Sequence, residues 1–269
     1  MKAQILDLIR HGHLRYAKRD LPSRLAIYFH ELETSQWPAF TEALTYFQDQ
    51  GYRFADPQSF VNGASGEKLL FVSFDDNFRN WHHGLEVMDK CGATCTFYVN
   101  SGYFRDIASQ DAISNYFDRI DYSGDVDHPG KRQTLSTSEL REIAERGHTI
   151  GCHTHSHPVL SQTPQASWFD EIVTSNKILE DLVGRKISDF SFPFGMRRHF
   201  SSALRFYCAT NGFRTIATGI SGQQHVTKID PLQIHRTGWK FELSLEDNIA
   251  NLQIDSRLYA RLSGRSAIG

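Results

Sequence analysis

The stretch Lys68-Leu-Leu-Phe-Val-Ser-Phe-Asp-Asp76 forms the clearest strand pattern in the sequence, and it ends in two adjacent acidic residues. Its apolar residues occupy both faces of the strand, which is typical of a strand buried in a parallel sheet. Two neighbouring carboxylates after such a strand repel each other, and a bound divalent cation is the usual way to offset that repulsion. The stretch therefore predicts a parallel α/β fold with a metal site at the carboxyl ends of its strands.

Apolar runs alternate with amphipathic segments along the rest of the chain, from about residue 25 to the end. This alternation is typical of βα units. Besides the strand at 68–74, the pattern predicts strands at 24–30, 93–99, 148–152, 190–192, 215–218 and 232–235. A chain of 269 residues with 40% hydrophobic residues fits one α/β barrel. We therefore predict a single domain that spans residues 1–269.

Helix signals separate these strands. Ser136-Thr-Ser-Glu139 has the spacing of a capping box at the start of a helix, and Thr163-Pro164 is expected to begin a helix that ends at Val183. Further helices are predicted at 39–50, 80–90 and 202–211. The segment 103–134 lacks a periodic pattern, so we expect it to form a loop over the site.

The composition excludes several classes of protein. A net charge of −2 without a lysine or arginine run is not that of a nucleic-acid binder. The sequence has no run of about 18 apolar residues, so we predict no membrane-spanning helix. Peripheral contact with a membrane stays open. Residues 1–10 lack the continuous apolar run of a signal peptide, so we predict a cytoplasmic protein. The oligomeric state has no sequence signal.

Four cysteines are too few and too scattered for a disulfide scaffold. Cys95 is expected in a buried strand, and Cys91 at the turn before it. A redox or metal role for this pair is the alternative.

A second polar cluster, Gly151-Cys-His-Thr-His-Ser-His-Pro158, follows another predicted strand. Pro158 disfavours a helical conformation at His157. In a single loop turn, residues four apart converge while the middle one points away, so His153 and His157 are the predicted ligand pair and His155 lies outside it. One carboxylate and two imidazoles leave coordination positions open for water and substrate, as in catalytic zinc sites. Iron, cobalt, nickel or manganese also suit this ligand set.

The polar residues lie at the carboxyl ends of four predicted strands, which is the active-site face of an α/β barrel. Three of these segments, Ser73-Phe-Asp-Asp76, His153-Thr-x-x-His157-Pro158 and Phe192-Pro-Phe-Gly195, resemble the first three motifs of the polysaccharide deacetylases, the NodB-homology group of carbohydrate esterases. The resemblance covers residues 25–240. It implies a distorted (β/α)7 barrel, similar to a TIM barrel, and metal-dependent removal of the N-acetyl group from an amino sugar.

The resemblance also implies individual roles. Asp76, His153 and His157 become the metal ligands, and Asp75 becomes the base that activates water. The backbone N–H of Phe194 is expected to stabilise the oxyanion, and His235 to protonate the leaving amine. The remaining residues expected in the oxyanion and substrate-binding groove are Pro193, Arg236 and Trp239.

Three positions bear on how well the pattern fits. Asn77 stands where the first motif usually has glycine, and asparagine also tolerates a left-handed backbone. Ser191 stands where the third motif often has an arginine that orients the base, so Arg236 or Arg197 is a candidate for that role. His30 resembles a histidine after the first strand of related chains, while a hydrogen-bonded core histidine is equally consistent.

The predicted substrate is an N-acetylhexosamine unit of a lipid-linked or nucleotide-linked intermediate in surface-polysaccharide biosynthesis. Two alternatives stay open. The same site could hydrolyse a small non-sugar amide, or the protein could be a metal-binding pseudoenzyme that recognises glycan without turnover.

Overall fold

The computed structural model describes residues 21–120, 133–199, 201–221 and 229–253. Both ends of the predicted single domain lie outside the described residues, as do residues 121–132 of the segment that we expected to form a loop. Within the described ranges, no helix combines the length and the apolar character that a bilayer crossing requires.

The described residues form one parallel sheet. Its strands are β1 Arg24–Phe29, β2 Arg53–Phe54, β3 Leu69–Asp75, β4 Cys95–Val99, β5 Thr149–Cys152, β6 Asp189–Ser191, β7 Thr215–Thr218, β8 Ile234–His235 and β9 Thr237–Gly238. The hydrogen-bonded order is β8-β7-β6-β5-β4-β3-β1-β9, and the short β2 pairs with the start of β3. Every strand pair is parallel.

The sheet closes into a barrel through β8 and β9, which a single residue, Arg236, separates. Ile234 and His235 pair with β7, whereas Thr237 and Gly238 pair with β1. One extended segment thus joins the two ends of the sheet. Counted in this way, the described residues build a barrel wall of seven strands, and the predicted distorted (β/α)7 barrel is confirmed.

Helices cover the outside of the barrel. They are α1 Trp37–Asp49, α2 Pro57–Asn62, α3 Asn80–His83, α4 Leu85–Lys90, α5 Gln110–Arg119, α6 Thr137–Glu145, α7 Ser175–Val183, α8 Ser202–Thr210 and α9 Leu245–Gln253. The capping box of α6 forms as predicted: Ser136 Oγ accepts the N–H of Glu139 at 3.2 Å, and the Glu139 carboxylate accepts the N–H of Ser136 at 2.9 Å. All four cysteines are free and buried, as expected of thiols in the core.

The alternation of side chains along β3 places polar side chains inside the barrel near its carboxyl end, beyond the apolar Leu69 and Phe71 on the same face. Successive side chains of a strand point to opposite faces. Phe74 points outward and stacks between Phe29 and Phe97, with ring centroids 5.2 and 5.1 Å away. Ser73 and Asp75 therefore point into the barrel, although every residue of β3 is buried.

Three predicted segments differ from the structure. The segment expected to form a loop contains α5, which Ser109 begins by accepting the N–H of Ala112 at 3.2 Å. Its buried residues Ile113, Tyr116 and Phe117 form one narrow stripe on an otherwise polar helix, so the apolar pattern is weak.

The second difference is the segment 163–183. Thr163 does not cap a helix, because its hydroxyl donates to the carbonyl of Val159 at 3.1 Å. The chain instead forms a 3-10 turn at Gln165–Ser167 and a π-helical turn at Phe169–Thr174 before α7 begins. The predicted helix 80–90 is likewise divided at Gly84 into α3 and α4.

Candidate active site

Six barrel strands contribute to one pocket at their carboxyl ends. Its polar lining consists of Tyr28, His30, Asp75, Asp76, His153, His157 and Arg236. The pocket lies on the face where α/β barrels carry their active sites.

Asp76, His153 and His157 form a buried group whose possible ligand atoms all lie within 4.8 Å of one another. The Nε2 atoms of His153 and His157 lie 3.2 and 3.1 Å from Oδ1 of Asp76. Nδ1 of His153 is 2.8 Å from the backbone carbonyl of Ser191. Since a carbonyl only accepts, we infer that Nδ1 carries the proton and that Nε2 of the neutral ring is free to ligate a metal.

The chemistry of this group fits a divalent cation. Oδ1 of Asp76 is buried and has no hydrogen-bond donor within the described residues. When the two imidazoles are protonated, their charge outweighs the burial that favours the neutral acid and holds the pKa of Asp76 well below its ordinary value. A carboxylate and two imidazoles are a common ligand set for zinc and leave positions open for water and substrate. The group could therefore hold a metal ion of this kind.

The loops that carry these ligands have strained backbones. Among the described residues, the non-glycine residues with positive φ are Asp76 (84°), Asn77 (53°), Thr154 (72°), His157 (55°) and Phe194 (62°). All five follow the carboxyl ends of β3, β5 and β6. A left-handed conformation costs a non-glycine residue about 1–2 kcal/mol, and such residues cluster at functional sites where neighbouring contacts hold them in place.

Asn77 and Asn100 hold two of these loops together. The side chain of Asn77 donates to the carbonyl of Asn100 at 2.7 Å and accepts its N–H at 2.6 Å. Nδ2 of Asn100 in turn donates to the carbonyls of His153 and Thr154. Asparagine at position 77 thus supplies hydrogen bonds that the glycine usual in this motif cannot make.

Arg236 binds Asp75 through both amino groups, Nη1 to Oδ1 and Nη2 to Oδ2, each at 2.8 Å. The same groups donate to the hydroxyls of Ser73 at 2.9 Å and Ser191 at 2.7 Å, and Nε donates to the carbonyl of Thr218 at 3.0 Å. All five guanidinium N–H donors are engaged. Burial lowers the pKa of Arg236, but the Asp75 carboxylate outweighs it and raises the pKa.

This geometry bears on two expectations for Arg236. Arg236 lines the pocket but is 1% exposed, and its five N–H donors bind protein groups, so its predicted contact with a substrate stays a prediction. Its contacts with Asp75 favour Arg236 over Arg197 as the residue that orients this carboxylate. Ser191, at the place of the usual motif arginine, contacts the guanidinium that arrives from β8.

His235 lies outside the pocket. Because Arg236 points inward, strand alternation turns the neighbouring His235 outward. Its Nδ1 lies 3.1 Å from Oγ1 of Thr218, the side chain is buried, and this burial lowers the pKa of the imidazole. This position gives no support to the predicted role of His235 as proton donor, which stays a prediction.

Trp239 and Pro193 also lie outside the pocket lining. The Trp239 ring packs between the barrel wall and α1, with centroids 6.3 Å from Phe29 and 6.0 Å from Phe47. Pro193 is buried in the turn after β6. Neither is among the residues that line the pocket, and their predicted substrate contacts stay predictions. Phe194 does line it, with its ring 39% exposed and 4.7 Å from that of His157.

Two residues near the end of β1 line the pocket, although only one of them was a candidate. His30 is 56% exposed in its side chain, and its Nε2 lies 3.7 Å from Oδ2 of Asp76. This places it at the pocket rather than in the core. Tyr28, which the sequence analysis missed, packs its ring 4.8 Å from the Arg236 guanidinium. Their spacing of two residues in a strand is the signal that could have placed both on the inward face.

The fold is thus a parallel seven-stranded α/β barrel that carries, in one pocket, a buried Asp-His-His group able to hold a metal ion beside an arginine-bound carboxylate. The sequence profile of the polysaccharide deacetylase family matches residues 62–216, and the chain belongs to that family of deacetylases. Comparison with curated proteins gives no match.

Solved structures show the same fold. The Streptococcus pyogenes deacetylase PplD in complex with acetate is 16% identical, with a TM-score of 0.65 over 85% of this chain and 97% of that one. IcaB from Ammonifex degensii is 20% identical, with a TM-score of 0.64 over 86% and 97% of the two chains. A de-N-acetylase from Aggregatibacter actinomycetemcomitans is 15% identical, with a TM-score of 0.60 over 85% and 98%. At these identities the likeness shows the fold alone.

Proposed function

We propose that this protein is a metal-dependent hydrolase that removes the N-acetyl group from an N-acetylhexosamine. One observation carries the proposal: the Asp76, His153 and His157 group and the arginine-bound Asp75 open onto the same pocket. The family match supports deacetylation, and the de-N-acetylase among the structures of similar fold supports an amide as the bond that is cleaved.

The residues divide the chemistry among them. Asp76, His153 and His157 would hold a divalent cation, and this ion would supply Lewis-acid activation of water near neutral pH. Asp75 accepts the proton of the attacking water, and Arg236 holds its carboxylate in the orientation for that transfer. The backbone N–H of Phe194 stabilises the negative charge that develops on the acetamide oxygen.

The leaving amine needs a proton donor, and His30 replaces His235 in that role. His30 is an exposed imidazole at the mouth of the pocket. It lies nearest to Oδ2 of Asp76, whereas His153 and His157 contact Oδ1. Histidine is the side chain most often used for such a transfer.

The substrate we propose is an N-acetylhexosamine attached to a lipid or nucleotide carrier in surface-polysaccharide assembly, within the cytoplasm. The exposed Phe194 and Met196 near the pocket supply apolar surface on which a sugar ring can pack. The native metal that we propose is zinc, and titration of the metal-free protein with different divalent ions tests this choice.

Acetate release tests the function. Zinc-loaded protein is incubated separately with a nucleotide-linked N-acetylglucosamine, a lipid-linked N-acetylglucosamine and an N-acetylglucosamine oligomer. We expect acetate from at least one carrier-linked sugar. Asp75→Asn is the matched control, because it should abolish release while the zinc content stays at the wild-type level.

The other outcomes separate the alternatives. Hydrolysis of small non-sugar amides without release from any of the sugars would support the amidohydrolase. Glycan binding by a zinc-loaded wild type that releases no acetate would support the pseudoenzyme. Wild-type activity in Asp75→Asn would remove Asp75 from the mechanism.

A further inference from the structure

We propose that Glu171 is a positioning residue that holds the loop His153–His157 in the conformation that binds metal. Glu171 belongs to the π-helical turn Phe169–Thr174, which precedes α7 and contributes no residue to the pocket lining. This inference rests on the metal site of the proposed function.

The contacts of Glu171 are directed at His155 and Ser156, two of the three residues between the ligands. Its Oε2 accepts the backbone N–H of His155 at 3.1 Å and that of Ser156 at 2.9 Å. Its Oε1 accepts the hydroxyl of Ser156 at 2.6 Å. The backbone carbonyl of Glu171 also accepts the N–H of His155 at 3.0 Å. Glu171 thus caps the middle of the loop without touching either imidazole ligand.

The loop needs such a cap because its backbone is strained on both sides of these contacts. Thr154 has a φ of 72° and His157 a φ of 55°. Within the loop, the N–H of His157 donates to Oγ1 of Thr154 at 3.0 Å. Left-handed residues persist only where the surroundings fix them. Loss of the Glu171 hydrogen bonds would remove the side-chain contacts that hold His155 and Ser156 between the two strained residues.

Asn100 provides the complementary restraint. It donates to the carbonyls of His153 and Thr154, in the first half of the loop, whereas Glu171 accepts the amides of the second half. Asn100, the residue after β4, and Glu171, in the π-helical turn, therefore bind the loop from two different elements of the fold. Together they fix the separation of the His153 and His157 imidazoles.

The π-helical turn gives this contact a structural origin. Hydrogen bonding from residue i to i+5 accommodates an additional residue compared with an α-helix, and such turns are frequent at functional sites. The wider turn sets the direction in which Glu171 leaves the helix. Its neighbour Asp170 is exposed and makes its contact within the turn, to Thr174 at 3.4 Å.

Zinc affinity of the metal-free full chain tests the proposal, measured by competition with a chromophoric chelator. We expect Glu171→Ala to weaken binding about 10- to 100-fold, as loss of a residue that orients metal ligands does. Glu171→Gln should stay within about threefold, because its amide oxygen can accept both N–H groups while its NH₂ donates to the Ser156 hydroxyl. Asp170→Ala is the matched control and should bind like the wild type.

Two affinity results would overturn the inference: unchanged binding by Glu171→Ala, or a loss in Glu171→Gln as large as in Glu171→Ala. The second would assign the effect to charge rather than to hydrogen bonding. Hydrogen exchange of the metal-free protein provides a second measurement. We expect amide exchange in the peptide 153–157 to accelerate at least about tenfold in Glu171→Ala and not in Asp170→Ala.

Unchanged exchange in Glu171→Ala would overturn the inference whether or not metal binds. If the wild type fails to bind zinc while exchange accelerates as expected, the proposed function is wrong and the restraint of the loop by Glu171 stands. The two proposals are thereby separated.

Discussion

Arg236 and Asp75 lie 161 residues apart in the sequence, yet two parallel hydrogen bonds of 2.8 Å join them inside the barrel. The pair connects the strand that closes the sheet to the strand that ends in the two aspartates. A bidentate contact fixes the plane of the carboxylate as well as its position. The orientation of the proposed base therefore depends on the last barrel strand.

We expect Arg236→Lys to lower kcat/KM about 100-fold, because an ammonium group cannot span both oxygens of Asp75 and a displaced catalytic group costs rate of this order. The metal content should not change, since Arg236 contacts none of the three proposed ligands. Steady-state kinetics and metal analysis of the purified variant measure both effects.

Arg197→Lys is the control for this prediction. Arg197 is exposed on the turn after β6 and was the other candidate for the orienting role. We expect wild-type kinetics. A kcat/KM in Arg236→Lys that equals the wild-type value would remove the guanidinium from the mechanism.

His30→Gln and His235→Gln form a pair that tests the identity of the proton donor. We expect His30→Gln to lower kcat about 100-fold, because general acid catalysis contributes effects of this size. His235→Gln should keep kcat within about twofold, since its imidazole faces away from the pocket. Both are measured as acetate release at equal zinc content, and the opposite pattern would restore His235 to the site.

Asn77 can be tested through two substitutions that separate its hydrogen bonds from its backbone conformation. Both Asn77→Gly and Asn77→Ala lose the bonds to Asn100. Alanine also retains the penalty of a left-handed backbone, so we expect its free energy of unfolding to be lower than that of the glycine variant by about 1 kcal/mol. Urea denaturation measures the difference, and equal stabilities would show that position 77 bears no strain.

The stability of the protein should depend on pH through Asp189, at the start of β6. Burial raises the pKa of this carboxyl group from 3.8 to about 6, although Oγ1 of Thr215 donates to it at 2.5 Å. The folded state thus favours the neutral acid. Its contribution to stability is complete below the unfolded-state pKa near 3.8 and is lost as the pH rises through about 6.

Asp189→Asn imitates the neutral acid at every pH. We expect it to exceed the wild type in free energy of unfolding by up to about 3 kcal/mol at pH 8 and to match it near pH 4. Urea denaturation across this range measures the difference. Asp181→Asn, at an exposed carboxylate, should show no comparable trend, and a constant difference between Asp189→Asn and the wild type would contradict the assignment.

The sequence predicted those features that depend on short-range order. The buried run that becomes β3 and the capping box at Ser136 are local patterns, and the structure confirms both. His153 and His157 were selected by their spacing within one loop, and the structure brings them together with Asp76. In each case a few neighbouring residues determine the conformation.

The remaining assignments depended on long-range pairing. Whether His235 or Arg236 faces the interior depends on how the segment pairs with β7 and β1, and a shift of one residue exchanges the two faces. No local pattern at these residues carries that information. The packing of Trp239 against α1 also depends on closure of the barrel, so no local pattern at Trp239 predicts it.

Because Arg236 lies between β8 and β9, the pairing of β9 with β1 closes the barrel and positions the guanidinium at Asp75 in the same step. In a chain whose barrel is still open, the Arg236 guanidinium does not yet align the Asp75 carboxylate. We therefore expect a partly folded molecule to have little hydrolytic activity. If warming separates β1 from β9, we expect catalytic activity to be lost while most helices are still folded. Activity thus reports on the integrity of two hydrogen-bonded residue pairs at the end of the barrel wall.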